Sequence, residues 1–229
     1  MKHFLSAIAL VFIATTASAQ VGHLPQNSPY RDVETRHEFT FFGGHYDAGK
    51  DAIEIAPRDG PMYGIRYQIH VGGPAFLMAR WSHVNSSRFA IDPTAVGAAR
   101  QLGKKDVSMN LFDLDLAVNL TGQRSFHHII PVVNLGAGMG TCGGCKVDKD
   151  PYTFGTPFAF TFGGGLRWVP GGRFQLTADW NDYLYQLKYP TAYYVNPTGG
   201  TAAVTGNQAR SFWKGNRALT IGASLLFFR

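Results

Sequence analysis

Residues 62–71 alternate strictly. Tyr63, Ile65, Tyr67, Ile69 and Val71 fall on one side, and Gly64, Arg66, Gln68 and His70 on the other. Side chains of a strand point to opposite faces in turn, so this pattern marks a strand with one apolar and one polar environment. The same alternation recurs along the chain. Leu77, Ala79 and Trp81 oppose Met78, Arg80 and Ser82; Phe112, Leu114, Leu116, Val118 and Leu120 oppose Asp113, Asp115, Ala117 and Asn119. Residues 129–140, 158–168, 174–181 and 217–228 repeat it, and 37–46 supplies a first strand with Phe39 and Phe41 opposite Glu38 and Thr40.

That makes eight strands of about ten residues, the length a tilted strand needs to cross a bilayer. The connections alternate in length. Gly72-Gly73-Pro74, 121–128 and Pro170-Gly171-Gly172 are short, whereas 47–60, 86–106, 141–157 and 184–216 are long. The pattern predicts an all-β protein: an eight-stranded antiparallel up-and-down transmembrane β-barrel, with short periplasmic turns and long extracellular loops. An even strand count puts both termini on the periplasmic side.

Composition agrees. Charged residues are 16% of the 229, against roughly 25% in soluble domains, and aromatic residues reach 14%. The mean hydropathy of −0.08 excludes a bundle of membrane helices. It does not exclude a barrel, whose alternating faces cancel in the average. The formal charge of +6 comes with no basic helix or RNA-binding signature, so no nucleic-acid partner is expected.

At the N-terminus, Lys2 and His3 precede an apolar stretch over 4–17 and the small-x-small sequence Ala17-Ser18-Ala19. This reads as an export signal over 1–19. A periplasmic N-terminal segment over 20–36 and the barrel over 37–229 follow.

A soluble lipocalin-type barrel, apolar inside and binding an apolar ligand, shows the same alternation. Charges on the polar face argue for the opposite orientation. Glu38, Asp113, Asp115 and Asp179 stand against Arg66, Arg80 and Arg167, and eight strands enclose just enough space for such side chains to pack and pair. A packed polar interior without a wide pore is therefore expected. Gly64, Gly136, Gly138, Gly163 and Gly165 would leave room there for the arginines. On the apolar face, Tyr63, Trp81 and Trp180 are expected near the outer rim, and Trp168, Phe174 and Phe227 near the periplasmic one, as interface girdles.

The strands Pro131-Val132-Val133-Asn134-Leu135-Gly136-Ala137-Gly138 and Phe160-Thr161-Phe162-Gly163-Gly164-Gly165-Leu166-Arg167 carry a resemblance. With the export signal, they make the chain similar, over essentially its mature length, to the OmpA/OmpX-like outer-membrane barrel superfamily. The resemblance implies residence in the Gram-negative-type outer membrane and a non-enzymatic structural or surface-interaction role. It also implies recognition of the last strand by the outer-membrane assembly machinery. Leu219, Ile221, Ala223, Leu225 and Phe227 keep the alternate spacing, and Phe228 and Arg229 follow. No wall-binding domain follows the barrel, so anchoring to peptidoglycan is not expected.

Candidate chemistry is sparse. Asp113 and Asp115 share a face, as paired acid–base groups do, but three arginines at similar depth favour an ion network. Cys142-Gly143-Gly144-Cys145 has a spacing found in disulfides, redox motifs and metal sites; an exported surface loop favours a local disulfide. Lipid A deacylases of the outer membrane use a His-x-Ser pair in the barrel wall. No histidine here has serine two positions on, and His83, which shares a face with Trp81, suits an interface position. His127-His128 falls in a turn, and Gly163-Gly164-Gly165 lacks the lysine of a phosphate loop. No cofactor or metal is expected, and an enzyme acting on lipid stands as the alternative function. Arg88, Arg100, Lys104 and Lys105 in the second long loop could meet lipopolysaccharide phosphates. So could Lys188, Arg210 and Lys214 in the fourth, among Tyr189, Tyr193, Tyr194, Phe212 and Trp213. The same residues equally suit ordinary solvated loops.

Overall fold

A computed structural model describes residues 28–33, 35–204 and 210–227. The export signal expected over 1–19 lies outside the described residues, as do Phe228 and Arg229. Ten strands run in chain order: β1 (Tyr30–Asp32), β2 (His37–Ala48), β3 (Gly60–Gly72), β4 (Ala75–Ile91), β5 (Gln101–Asn119), β6 (Arg124–Phe126), β7 (Ile129–Gly143), β8 (Phe158–Gly171), β9 (Phe174–Lys188) and β10 (Ser211–Phe227). Eight of them form the ring β2-β3-β4-β5-β7-β8-β9-β10, every pair antiparallel. β10 meets β2 over a register running from Asn216↔Ala48 to Phe227↔His37. Closure pairs every long strand on both sides, so the ring has no free edge.

The faces sort as the alternation requires. Phe41, Leu114, Leu135, Phe162, Leu176 and Ile221 are exposed on the outside, while Arg66, Arg80, Asp113, Asp115 and Arg167 are buried inside. No water-soluble core explains an exterior band of this composition. Lipid does, because it costs apolar side chains nothing and leaves the backbone bonds satisfied within the ring.

The band stops part-way up the strands. On β4 the outward series Leu77, Ala79, Trp81 gives way to His83 and Asn85; on β5, Leu116, Leu114, Phe112 gives way to Asn110 and Ser108. These positions are in register, Trp81↔Phe112 and His83↔Asn110. On β9 and β10, Trp180 and Leu219 are followed by Asp182 and Arg217, but there Leu184 and Trp213 return apolar side chains to the outward face beside Phe160. β4 and β5, at 17 and 19 residues, therefore continue well beyond the apolar band.

That extension corrects one expectation. Much of 86–106, read as a long loop, is paired strand from Ser86↔Val107 to Ile91↔Gln101, leaving only 92–100 as connection. The physical reason is solvent. Above the band the outward face meets water, so nothing selects apolar residues at alternate positions, yet the backbone ladder still forms.

The short-turn end has its own addition. β6 interrupts the turn expected over 121–128 and pairs with β1 from the N-terminal segment, Tyr30↔Phe126 through Asp32↔Arg124. Their Asp32–Arg124 ion pair is largely exposed and adds little stability. His127 and His128 both have positive φ; His127 is exposed, while His128 Nδ1 bonds the Val169 carbonyl at 2.9 Å.

Candidate functional site

Inside the ring, inward parity on each strand builds a stack of layers. Nearest the short turns, Phe76, Met78, Ile130, Val132, Val169 and Leu226 pack together and close that end. Above them lie the charged groups. Arg167 donates to Glu38 Oε2 (3.3 Å), Asn119 Oδ1 (3.3 Å) and Gln68 Oε1 (2.7 Å). Glu38 also accepts from Gln175 (2.9 Å) and Ser224 (3.1 Å). Arg66 donates to Asp179 at 2.8 Å and lies 3.7 Å from Glu38. Arg80 donates through Nε to both oxygens of Asp113 and through Nη2 to Asp115 (3.0 Å). Asp115 further accepts from Asn134 (2.9 Å) and from Thr161.

All seven candidate interior groups thus meet, in two clusters: Glu38, Arg66, Arg167 and Asp179 in one, Arg80, Asp113 and Asp115 in the other. Buried charges persist only when paired and hydrogen-bonded, and these are. Asp113 and Asp115 share one guanidinium as their partner. The arrangement is suited to fixing eight strands to one another, not to moving a substrate's proton.

The glycines work differently from expectation. A Cβ on Gly136 would overlap Asp115 Oδ1, and one on Gly165 would overlap Asp179 Oδ1. A Cβ on Gly163 would meet Asn181 Oδ1, one on Gly138 the Asp113 Cβ and one on Gly64 the Phe42 ring, so the nearest side chains to these glycines come from adjacent strands and are not the arginines.

Toward the long loops the interior becomes aromatic. Tyr46, Tyr183 and Tyr185 from the strands pack with Ile55, Tyr152, Phe154, Tyr189, Tyr193 and Val204 from three different loops. Tyr46 and Tyr185 hydroxyls meet at 3.0 Å. The key polar group in this layer is Arg88, whose side chain has no solvent exposure. Arg88 donates to Asp150 Oδ2 (2.8 Å), twice to the Cys145 carbonyl (3.1 and 2.6 Å) and once to the Ile55 carbonyl (3.5 Å). Its guanidinium lies 4.8 Å from the Tyr152 ring centre. Asp150 also accepts from the Tyr193 hydroxyl and the Tyr152 amide. One ion pair therefore ties β4 to the loop segments 49–59, 144–157 and 189–204.

This corrects the picture of a solvated basic rim. Arg88, Lys214, Tyr189 and Tyr193 are buried, and Lys214 donates to the Pro57 carbonyl at 2.8 Å. Arg100 is half-buried, bonding the Ala95 and Thr201 carbonyls. Lys104, Lys105, Lys188 and Arg210 remain exposed, as does Trp213; Tyr194 and Phe212 are half-buried. The missed signal was parity. Continuing Met78, Arg80, Ser82, Val84 and Ser86 by two more residues places Arg88 inside.

A disulfide joins Cys142, at the end of β7, to Cys145 in the third loop. Burial raises the Tyr193 and Tyr152 phenols above their ordinary range, and for Tyr193 the Asp150 carboxylate adds to the effect. Tyr189 is raised by burial and by Asp51, which accepts its hydroxyl at 3.1 Å.

The six interface aromatics all face outward. Trp81 and Trp180 are mid-strand by count but occupy the last apolar row before His83 and Asp182. Tyr63 stacks beside His83 (5.1 Å between ring centres), which also packs near Trp81 (6.4 Å) and bonds Asn110 (2.9 Å). Trp168, Phe174 and Phe227 stand close to the short turns.

No family model matches the chain, and no curated protein does. Solved structures do. Neisserial surface protein A superposes with a TM-score of 0.52 at 8% identity, covering 83% of this chain and 97% of its own. The outer membrane protein OprG from Pseudomonas aeruginosa gives 0.52 at 12%, covering 86% and 99%. At such identities the likeness concerns fold alone, and the fold is that of the eight-stranded OmpA/OmpX-like outer-membrane barrels.

Proposed function

We propose that this protein is an integral outer-membrane barrel that acts as a closed structural and surface-interaction element, with neither a channel nor an active site. The observation carrying this reading is the filled interior. Paired charges occupy the middle, an apolar layer closes the short-turn end, and Arg88–Asp150 holds three loops inside the other mouth. An enzyme acting on lipid needs a nucleophile or base facing the membrane rim. The outward histidine best placed for that, His83, is held between two aromatic rings and two asparagines.

Contact with the membrane falls to the apolar band and its aromatic rows. Contact with lipopolysaccharide phosphates falls to the cations that stay exposed, Lys104, Lys105, Lys188 and Arg210. Assembly would proceed through recognition of β10, whose alternate apolar residues face outward. Recovery from outer-membrane fractions with heat-modifiable migration in detergent is the first test. In planar bilayers the purified barrel is expected to show no large steady current, and a stable single-channel conductance would overturn the closed reading. Reversing Lys104 and Lys105 to glutamate should weaken lipopolysaccharide association if those cations make the contact.

A further inference from the structure

The outward face does not change character alike all round the barrel. On β8, β9 and β10 apolar side chains return above the charged row, whereas on β3, β4, β5 and β7 two polar rows follow the band. The register stacks the outward residues there. Tyr67–Ala79–Leu114–Ala137 is the lowest of four rows, with Ile65–Trp81–Phe112–Met139 above it. Next come Tyr63–His83–Asn110–Thr141 and then Asn85–Ser108–Gly143. Ala79 and Ala137 are small among large neighbours, and they leave a furrow of about 500 Å³ with chiefly apolar walls.

The two upper rows carry amides and hydroxyls. The His83 ring meets Asn110 at 2.9 Å and Asn85 at 3.2 Å, so both amides are held in place. Above them a hollow of about 610 Å³ is lined by Asp59, Asn85, Ser87, Lys104, Asp106 and Ser108. Its one cation, Lys104, is exposed. An apolar furrow, a fixed pair of amides and a polar hollow therefore follow one another up the same strands toward the long-loop rim.

We propose that this side of the wall binds one molecule of lipid A, the acylated and phosphorylated amino sugar that anchors lipopolysaccharide in the outer leaflet. One acyl chain fills the furrow, the sugar lies against the amide and hydroxyl rows, and a phosphate accepts from Lys104. These groups select such a head over that of a glycerophospholipid. An amide-linked chain brings an N–H and a C=O to the level where the apolar rows end, and Asn85 and Asn110 pair with them. In the hollow, Asp59 and Asp106 outnumber Lys104 and oppose a phosphate that comes alone. A sugar phosphate suits all three, since ring hydroxyls donate to the carboxylates while the phosphate meets the lysine. Trp81 stands between furrow and amides, at the boundary where amphipathic rings are favoured. The site rests on the membrane-embedded reading and on the lipopolysaccharide contact proposed above, to which it adds the wall beneath the exposed cations.

The test is native mass spectrometry of the full barrel released from nanodiscs holding equal amounts of lipid A and phosphatidylglycerol, an anionic lipid with hydroxyls but no amide. Retained lipid A should exceed phosphatidylglycerol by on the order of tenfold, the scale of one charge-assisted hydrogen bond. The pair Ala79→Leu with Ala137→Leu fills the furrow, and the pair Asn85→Ala with Asn110→Ala removes the amides. Each should bring the ratio close to one. Ala178→Leu, outward on β9 across the ring, is the control and should leave the ratio unchanged. Heat-modifiable migration reports folding of each variant separately. A folded parent that retains the two lipids equally overturns the site, as do folded furrow and amide variants that retain lipid A as the parent does. If those variants behave as the parent while Lys104→Glu with Lys105→Glu loses lipid A, the rim contact stands and the wall site falls. Absence of any heat-modifiable form overturns the membrane reading on which both depend.

Discussion

Arg88 Nη1 lies 2.8 Å from Asp150 Oδ2 across sixty-two residues of sequence, with neither side chain exposed. Removing one partner strands the other as a buried charge, which typically costs about 3–5 kcal/mol. Asp150→Ala should therefore release the loops while leaving the lower ion clusters intact. Limited trypsinolysis at Lys146 and Lys149 should accelerate, with heat-modifiable migration retained. The double change Arg88→Met with Asp150→Leu should be milder than either single change, because no charge is left unpaired. Equal protection of the loop in Asp150→Ala and the parent would refute the clamp.

The Cys142–Cys145 disulfide sits beside this clamp but closes only a very short loop. Chain entropy gives such a crosslink at most about 2 kcal/mol. Arg88 still grips the Cys145 carbonyl when the bond is broken. The variant Cys142→Ser with Cys145→Ser should consequently show less loop cleavage than Asp150→Ala. A greater effect from the cysteine variant would mean that the disulfide, not the ion pair, holds the loop. Intact mass without reductant, with and without alkylation, measures the thiol content directly.

The wall of this barrel was legible in its sequence because lipid acts as a filter at every second residue. Phe112, Leu114 and Leu116 cannot be exchanged for polar residues there, so the pattern survives in print. The plug was not legible in the same way. Tyr193, Asp150 and Ile55 belong to loops with no periodicity, and their residue types suit a solvated surface equally well. What brings them together is a set of contacts between distant segments, which no local pattern records. Arg88 was the exception, since its parity on β4 already pointed inward. The extension of β4 and β5 above the band escaped for a related reason: a backbone ladder in water needs no apolar alternation.

Tyr152, Tyr189 and Tyr193 offer a pH test of the same plug. Their folded pKa values are raised by burial, so the protonated forms are favoured in the closed state. The associated stability is present below the unfolded tyrosine value of about 10 and is lost as pH rises through the higher folded values. Titration followed by phenolate absorbance should show an early phase at the ordinary phenol pH. A later phase, steeper than a single-site curve, should coincide with loop cleavage becoming fast. In Tyr193→Phe the later phase should shrink. If all ten tyrosines ionised in one transition near 10, burial of the loop phenols would be rejected.

Gly136 faces Asp115 with no room for a side chain between them. A Cβ would overlap the Asp115 carboxylate and also the Leu114 carbonyl, and the second of these is backbone that cannot swing aside. Gly136→Ala should therefore displace the β5–β7 ladder or push Asp115 off Arg80, at a cost of roughly 1–3 kcal/mol by the scale of overpacked interiors. Gly43→Ala, outward on β2 with open space around it, is the matched control and should cost little. Urea unfolding of both variants in detergent, read by the loss of the heat-modifiable band, separates the two cases. Should the two variants unfold at the same urea concentration, the close approach of Gly136 to Asp115 would have no energetic consequence and the layered interior would need another account.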